Sequence, residues 1–315
     1  MKKILNGIML AVLALILVLS ACKGSGSKTN TGKDYTFTDD LGNTVTVNDP
    51  QRVVTVMGSF AQIWCLAGGG DVLVGTTDDT IDARELGIDH ELTKIGSYMA
   101  PNVEKIIGCD PDLVILTGGS GYNADQKALE DTFKENEITY CYFTVTHFED
   151  YLRMLKICTD ITGKEELYKT NGTEVQERIN KILKDEHVSG SPSYLLMITY
   201  SGGIRPQAST TQTGKMLNDL GAKNIIDDNT SLLKEFSMEK VIEIDPDYIF
   251  AISMGYSDQS AEEALKKLVE DDPAWNQLTA VQNGNYYLLP RDMFQFKPNE
   301  KWDKAYQYLA DIFNA

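Results

Sequence analysis

From Tyr35 to Val47 apolar and polar residues alternate around Leu41-Gly42-Asn43, a pattern that predicts a β-hairpin. The period changes after Pro50. Arg52-Val53-Val54-Thr55-Val56 is apolar on both faces, as a strand buried in a parallel sheet would be, and Phe60 to Ala67 reads as a helix that Gly68-Gly69-Gly70 closes. Val72 to Thr76 predicts the next strand, and a polar loop runs on to Thr93. Asp125 to Asn136 predicts a helix and Tyr140 to Val145 a strand. Strand patterning then stops. His147 to Thr162 places Phe148, Tyr151, Leu155 and Cys158 on one helical face, with Gly163 as its stop. Lys164 to Glu186 is helical again, weakened at Gly172, and at 1.5 Å per residue would reach about 33 Å. Strands resume at Tyr194 to Thr199. Helices Thr213 to Leu220 and Ala261 to Glu270, a strand at Tyr286-Tyr287-Leu288-Leu289 and an amphipathic helix Trp302 to Phe313 complete the chain.

One stretch occurs twice. Glu104-Lys105-Ile106-Ile107-Gly108-Cys109-Asp110-Pro111-Asp112-Leu113-Val114-Ile115 aligns without a gap on Glu239-Lys240-Val241-Ile242-Glu243-Ile244-Asp245-Pro246-Asp247-Tyr248-Ile249-Phe250. Each copy predicts a short helix, a stop and a buried strand, because the residue before proline is pushed out of the α region. The chain thus builds one α/β unit twice. In each copy a glutamate opens the helix, where it complements the macrodipole. Two equivalent exposed carboxylates on two equivalent lobes also suit a partner that is itself two-fold.

Composition adds a location. Lys2 and Lys3 precede an apolar run from Ile8 to Leu19, followed by Ser20-Ala21-Cys22, the order of a secretion signal. Leu19-Ser20-Ala21-Cys22 resembles the lipobox of bacterial lipoproteins. That resemblance implies a signal peptide at 1–21, cleavage before Cys22, and acylation of its thiol, with two or more chains making a stable anchor on the extracytoplasmic face of the cell membrane. Residues 22–33, rich in Gly, Ser and Thr, read as a tether. Without Lys2 and Lys3, 27 basic side chains stand against 46 acidic ones, a net charge of about −19 that disfavours nucleic acid. Cys65, Cys109, Cys141 and Cys158 form no C-x-x-C pair and lie in apolar stretches, so they read as core residues, with a disulfide left open.

Catalytic signatures are weak. Gly118-Gly119-Ser120-Gly121 approaches a nucleophile elbow, but Tyr122 stands where a second glycine is needed, and no Walker A sequence occurs. A hydrolase is therefore disfavoured, and the expectation is a protein that is not an enzyme. A bare transition metal needs several convergent donors, whereas the only histidines are His90, His147 and His187 in unrelated contexts. No resident metal is expected, and no covalent cofactor.

Over nearly its whole mature length the chain resembles the binding lipoproteins of ABC importers for ferric siderophores, haem and cobalamin, the class III periplasmic binding proteins. The resemblance is carried by Asp39-Asp40-Leu41-Gly42, Pro50-Gln51-Arg52-Val53-Val54, Gly70-Asp71 before Val74-Gly75, and Ile95-Gly96-Ser97-Tyr98. Both copies of the repeat, Leu220-Gly221-Ala222-Lys223-Asn224, and the ending from Tyr287-Leu288-Leu289-Pro290 to Trp302 add to it. It implies an α/β fold of two Rossmann-like lobes, residues 34–145 and 190–315, joined through connecting helices at 146–189 by a single long rigid helix, with the ligand in the cleft between them. Because one helix resists bending, the implied closure is small. It also implies a monomer that captures a metal chelate, foremost a ferric siderophore, and delivers it to an ABC permease dimer with its cytoplasmic ATPase. Glu104 and Glu239 match the family's two lobe-tip glutamates, which pair with permease arginines. Loops after the strands, where open α/β sheets bind ligands, select Met57, Ser59, Phe60, Tyr98, Met99 and Tyr122 in the first lobe. In the second they select Tyr200, Arg205, Met254, Tyr256, Arg291, Met293 and Phe294. Arg205 and Arg291 would neutralise an anionic chelate. Haem, with Met57 or Met99 as an axial ligand, and cobalamin remain open, as does a surface adhesin or sensor that keeps the fold without transport.

Overall fold

The computed structural model describes residues 34–78, 80, 84–119, 129–200, 203–254, 263, 265–266 and 271–315. The opening hairpin pairs β1 (Tyr35–Thr38) with β2 (Thr44–Val47). The first lobe follows: β3 (Val53–Thr55), α1 (Gly58–Leu66), β4 (Leu73–Thr76), β5 (Thr93–Lys94), a small hairpin of β6 (Gly96–Ser97) and β7 (Ala100–Pro101), α2 (Val103–Gly108), β8 (Leu113–Thr117), α3 (Glu130–Glu135) and β9 (Thr139–Phe143). Its sheet runs β5-β4-β3-β8-β9, all parallel. The strand order reverses between β3 and β8, which makes their carboxyl ends a topological switch point.

Three helices and a π turn connect the lobes: α4 (Phe148–Thr162), α5 (Glu165–Tyr168), the π segment Lys169–Thr173, and α6 (Glu174–Asp185). The unbroken rod expected over Lys164 to Glu186 is therefore not a regular α-helix. Gly172 gives the reason: a Cβ there would lie 3.1 Å from Leu152 and 3.3 Å from Leu155, so the bare backbone packs against α4. The Tyr151 hydroxyl donates to the Asn171 carbonyl at 2.7 Å, and the Asn171 side-chain amide donates to Leu66 O at 2.9 Å, which ties the widened turn to α4 and to the end of α1.

The second lobe contains β10 (Ser193–Tyr200), β11 (Gly203–Pro206), α7 (Gln212–Asp219), β12 (Lys223–Asn224), α8 (Ile225–Asp228), α9 (Met238–Ile244), β13 (Tyr248–Ser253), α10 (Thr279–Gln282), β14 (Tyr286–Leu288), α11 (Arg291–Phe294) and α12 (Trp302–Phe313). β10, β13 and β14 are parallel neighbours. On the other edge of β10 its first residues pair with β12, and Met197 to Tyr200 with β11, antiparallel. The sequence pattern assigns no strand where β11 stands, because Gly203-Ile204-Arg205-Pro206 is too short and mixed to register as one. The helix expected over Ala261–Glu270 falls largely outside the described residues.

Both sheets are buried on both faces, so successive residues enter different cores. Val53, Leu113 and Ile115 meet Tyr194, Leu196, Phe250, Trp302 and Leu309 in one continuous core that passes through Phe148, Tyr151, Val175 and Ile179 of the connecting helices. Val54, Val114 and Leu116 pack on the far side with Ile106 and Phe133. Leu195, Met197, Ile249 and Ala251 do the same in the second lobe with Val241 and Trp275.

The two copies of the repeat fold alike down to their hydrogen bonds. Asn102 caps α2 by accepting from Lys105 N at 2.9 Å, and Ser237 caps α9 by accepting from Lys240 N at 3.3 Å. Asp110 and Asp245 both stop their helices in the left-handed region, at φ 48° and 49°. Asp112 accepts from Gln51 N and Arg52 N, and Asp247 from Ser193 N and its hydroxyl, so each copy latches the start of its neighbouring strand.

Candidate functional site

The carboxyl ends of the parallel strands carry most of the expected site residues. Met57, half-buried, follows β3 and forms the N-cap of α1. Tyr200 ends β10 and Met254 follows β13, with Met254 N donating to Thr199 O at 2.8 Å across the second switch point. Met254 is 41% exposed. Tyr122 and Tyr256 lie outside the described residues, as does Cys22.

Two aromatic residues change role. Phe60 and Phe294 are core side chains, exposed by 1% and 4%, because α1 and α11 turn those positions into the shared core. Ser59 is also buried, its carbonyl accepting from the Asn299 amide at 3.2 Å, and Met293 packs on the same core. Tyr98 and Met99 form the tip between β6 and β7, where Tyr98 is half-buried and Met99 exposed.

The arginines are held by aromatic faces. The Arg205 guanidinium, on β11, lies 5.5 Å from the Tyr200 ring centroid, and Arg291 lies 5.8 Å from that of Phe296 while its Nε donates to Gln295 Oε1 at 2.5 Å. The two arginines of the second lobe are thus bound to different rings. A third arginine joins Arg291. Arg84, from the first lobe, sits 5.2 Å from the same Phe296 ring. Its Nη1 donates to Gln62 Oε1 at 2.5 Å and to Lys297 O at 3.5 Å, so it bridges the lobes. Lys297 Nζ donates to Gln212 Oε1 at 3.2 Å. Burial pulls the Lys297 ammonium down to about 8; Asp150 opposes that pull and Arg84 adds to it. Arg84 and Arg291 therefore share one aromatic ring where the lobes meet, and the buried Lys297 follows that ring in the chain, its carbonyl accepting from Arg84.

Sequence patterning missed Arg84, Phe296 and Lys297. Phe296 and Lys297 continue the segment that begins at Arg291, so extending it by one turn would have included them. Arg84 sits in a polar loop without a periodic signal, and only its packing against Gly58, next to Met57, shows its place.

Among the described residues no group of three His, Cys, Asp or Glu side chains is placed to hold a metal ion. A hollow of about 150 Å³, lined by Asp49, Trp64, Gly69 and Lys164 among others, lies at the amino ends of β3 and β4, away from the switch points. Glu104 and Glu239 are both exposed, each in the first turn of its helix. Each helix runs into its strand through the Asp-Pro-Asp turn, so its first turn lies towards the carboxyl end of the sheet.

Comparisons with known proteins agree with this architecture. Residues 53–293 match the family described as periplasmic binding protein. A putative ABC transporter substrate-binding lipoprotein of Bacillus subtilis, YhfQ, is 26% identical over 314 residues, covering 94% of this chain and 93% of its own. The Fe(3+)-citrate-binding protein YfmC of the same organism is 26% identical over 303 residues, covering 91% and 90%. Among solved structures, the petrobactin-binding protein YclQ of Bacillus subtilis superposes with a TM-score of 0.71 at 18% identity, over 90% of this chain and 99% of that one. Paired parallel sheets, duplicated helix-to-strand units and a family match spanning both lobes lead to one assignment: this chain belongs to the periplasmic binding protein family.

Proposed function

We propose that this chain captures an anionic metal chelate, foremost a ferric siderophore, between its lobes and passes it to an ABC permease dimer driven by a cytoplasmic ATPase. The observation that carries the reading is the pair Arg84 and Arg291 on the Phe296 ring at the junction of the lobes, with the buried Lys297 next in the chain. Cations in a partly desolvated site attract a negatively charged complex more strongly than they would in water, and an aromatic face suits its apolar parts. Relatives named for Fe(3+)-citrate, haem and vitamin B12 support the metal-chelate class. Haem carries carboxylates that the same cations would accept, and is the second reading. Anchoring at the outer face of the membrane through Cys22 fits relatives named as lipoproteins.

The test begins with the soluble part from Lys23, incubated with ferric siderophores, haemin and cobalamin. The compound that co-elutes, adds its absorption spectrum and raises the melting temperature is the ligand. A chain that retains none of the three classes is not a chelate carrier. Glu104 and Glu239 serve docking in this reading, one carboxylate for each permease subunit. Changing both to Ala is expected to abolish uptake while ligand affinity stays intact. Normal transport by the double variant would remove the docking role.

A further inference from the structure

Four large apolar side chains stand exposed among the described residues: Leu41, Met99, Leu233 and Met254. Scattered singly, such residues are ordinary. Two of them are not scattered. Met99, 57% exposed, lies three residues before the cap Asn102, and Leu233, 44% exposed, lies four before the cap Ser237. Glu104 and Glu239 each lie two residues after those caps. The two lobes therefore present the same sequence of features at the same kind of site: an exposed apolar side chain, a capped helix start and an exposed glutamate. Even a fully extended chain would keep each apolar residue within about 18 to 22 Å of its glutamate, inside the footprint of a single protein contact. Each is also held out by local structure. Met99 is at the tip of the β6 and β7 hairpin, and Leu233 ends a 3₁₀ turn whose previous residue, Leu232, is buried.

An exposed ion pair contributes little affinity by itself. Charges mainly set the encounter rate, whereas lifetime depends on side chains that become fully desolvated. Resting on the docking reading of Glu104 and Glu239, we infer that Met99 and Leu233 are the apolar anchors of the permease interface. Each seats in an apolar pocket of one permease subunit beside the partner of its glutamate. The permease is the favoured occupant because its two subunits match two like surfaces on one chain, and because each apolar side chain adjoins a docking glutamate.

The test uses the full-length chain and the host's permease and ATPase complex in lipid nanodiscs, without added chelate, with association and dissociation rates read by surface plasmon resonance in low and in high salt. Met99→Ser and Leu233→Ser are each expected to raise the dissociation rate about fivefold or more in both salts, with association nearly unchanged. Glu104→Gln with Glu239→Gln is expected to slow association in low salt. If the serine variants dissociate at the parent rate while the glutamine pair binds more slowly, the anchors are wrong and the docking reading stands. If the parent chain does not bind the nanodiscs, the docking reading itself falls, and the anchors with it.

Discussion

Lys297 joins the chemistry of the site to the stability of the fold. Its ammonium is lowered to about 8, first by burial, whereas in the unfolded chain it titrates near 10.4. Between those values the unfolded chain holds a proton that the folded chain has released, so folding stability rises with pH across that window. Below pH 8 both states are charged and the full penalty stands. Lys297→Met is therefore expected to be more stable than the parent at pH 7, by about 1 kcal/mol, with the difference narrowing towards pH 10 in urea titrations. Ligand binding runs the other way. Affinity for an anionic chelate is expected to fall as pH passes 8, and the Met variant to lose that dependence. Arg84→Ala or Arg291→Ala is expected to weaken such a ligand by more than about tenfold, measured by fluorescence titration. Unchanged affinity in both would move the site elsewhere. Arg291 was legible in the sequence as an arginine following a strand. Arg84 was not, because what defines it is a ring contributed by the other lobe.

The repeated helix-to-strand unit shows which parts of an element sequence can convey. The Asp-Pro stop was legible because proline drives the residue before it out of the right-handed α region, and both stops leave it, although Asp110 and Asp245 take positive φ where the constraint favours extended backbone. Their energetics differ. Asp245 also accepts from Thr279 N at 2.8 Å and from its hydroxyl at 2.6 Å, ties that connect the turn to α10. Asp110→Gly is expected to be neutral or stabilising by about 0.5 kcal/mol, since glycine adopts the left-handed region freely. Asp245→Gly is expected to destabilise by about 1 kcal/mol, because two hydrogen bonds go with the carboxylate. Thermal melts of the two variants would separate the effects, and equal shifts would show that backbone strain alone decides. The π turn and β11 were beyond the reach of patterning for a different reason. Gly172 reads as a weak helix position, and only the approach of Leu152 and Leu155 turns that weakness into close packing. β11 exists because β10 outruns β12, leaving Met197 to Tyr200 in need of an edge partner.

At the scale of the molecule the lobes are distinct in topology and continuous in packing. Periodicity showed the duplication, since each lobe repeats a local pattern, but a core assembled from residues more than two hundred positions apart leaves no periodic trace. Phe148, at the start of the connecting helices, stacks edge to face on Trp302, at the start of the last helix, with ring centroids 5.9 Å apart. α12 then returns across α6, where Arg178 Nε donates to Asp303 Oδ2 at 2.5 Å, and reaches α7, where the Tyr306 hydroxyl donates to Asp219 at 2.8 Å. Moving the lobes far apart would disrupt this close-packed interior, so the packing itself favours small movements about the junction. The same continuity sets how the protein unfolds. Trp302 is 1% exposed, and truncation to Ala leaves a cavity that costs about 3 to 5 kcal/mol. Because Trp302 belongs to the core that both lobes share, Trp302→Ala is expected to lower a single calorimetric transition as a whole, its van't Hoff and calorimetric enthalpies remaining equal. A thermogram that splits, with one peak at the parent temperature and the other shifted down, would mean that the lobes fold as independent units and that the shared core joins them only loosely.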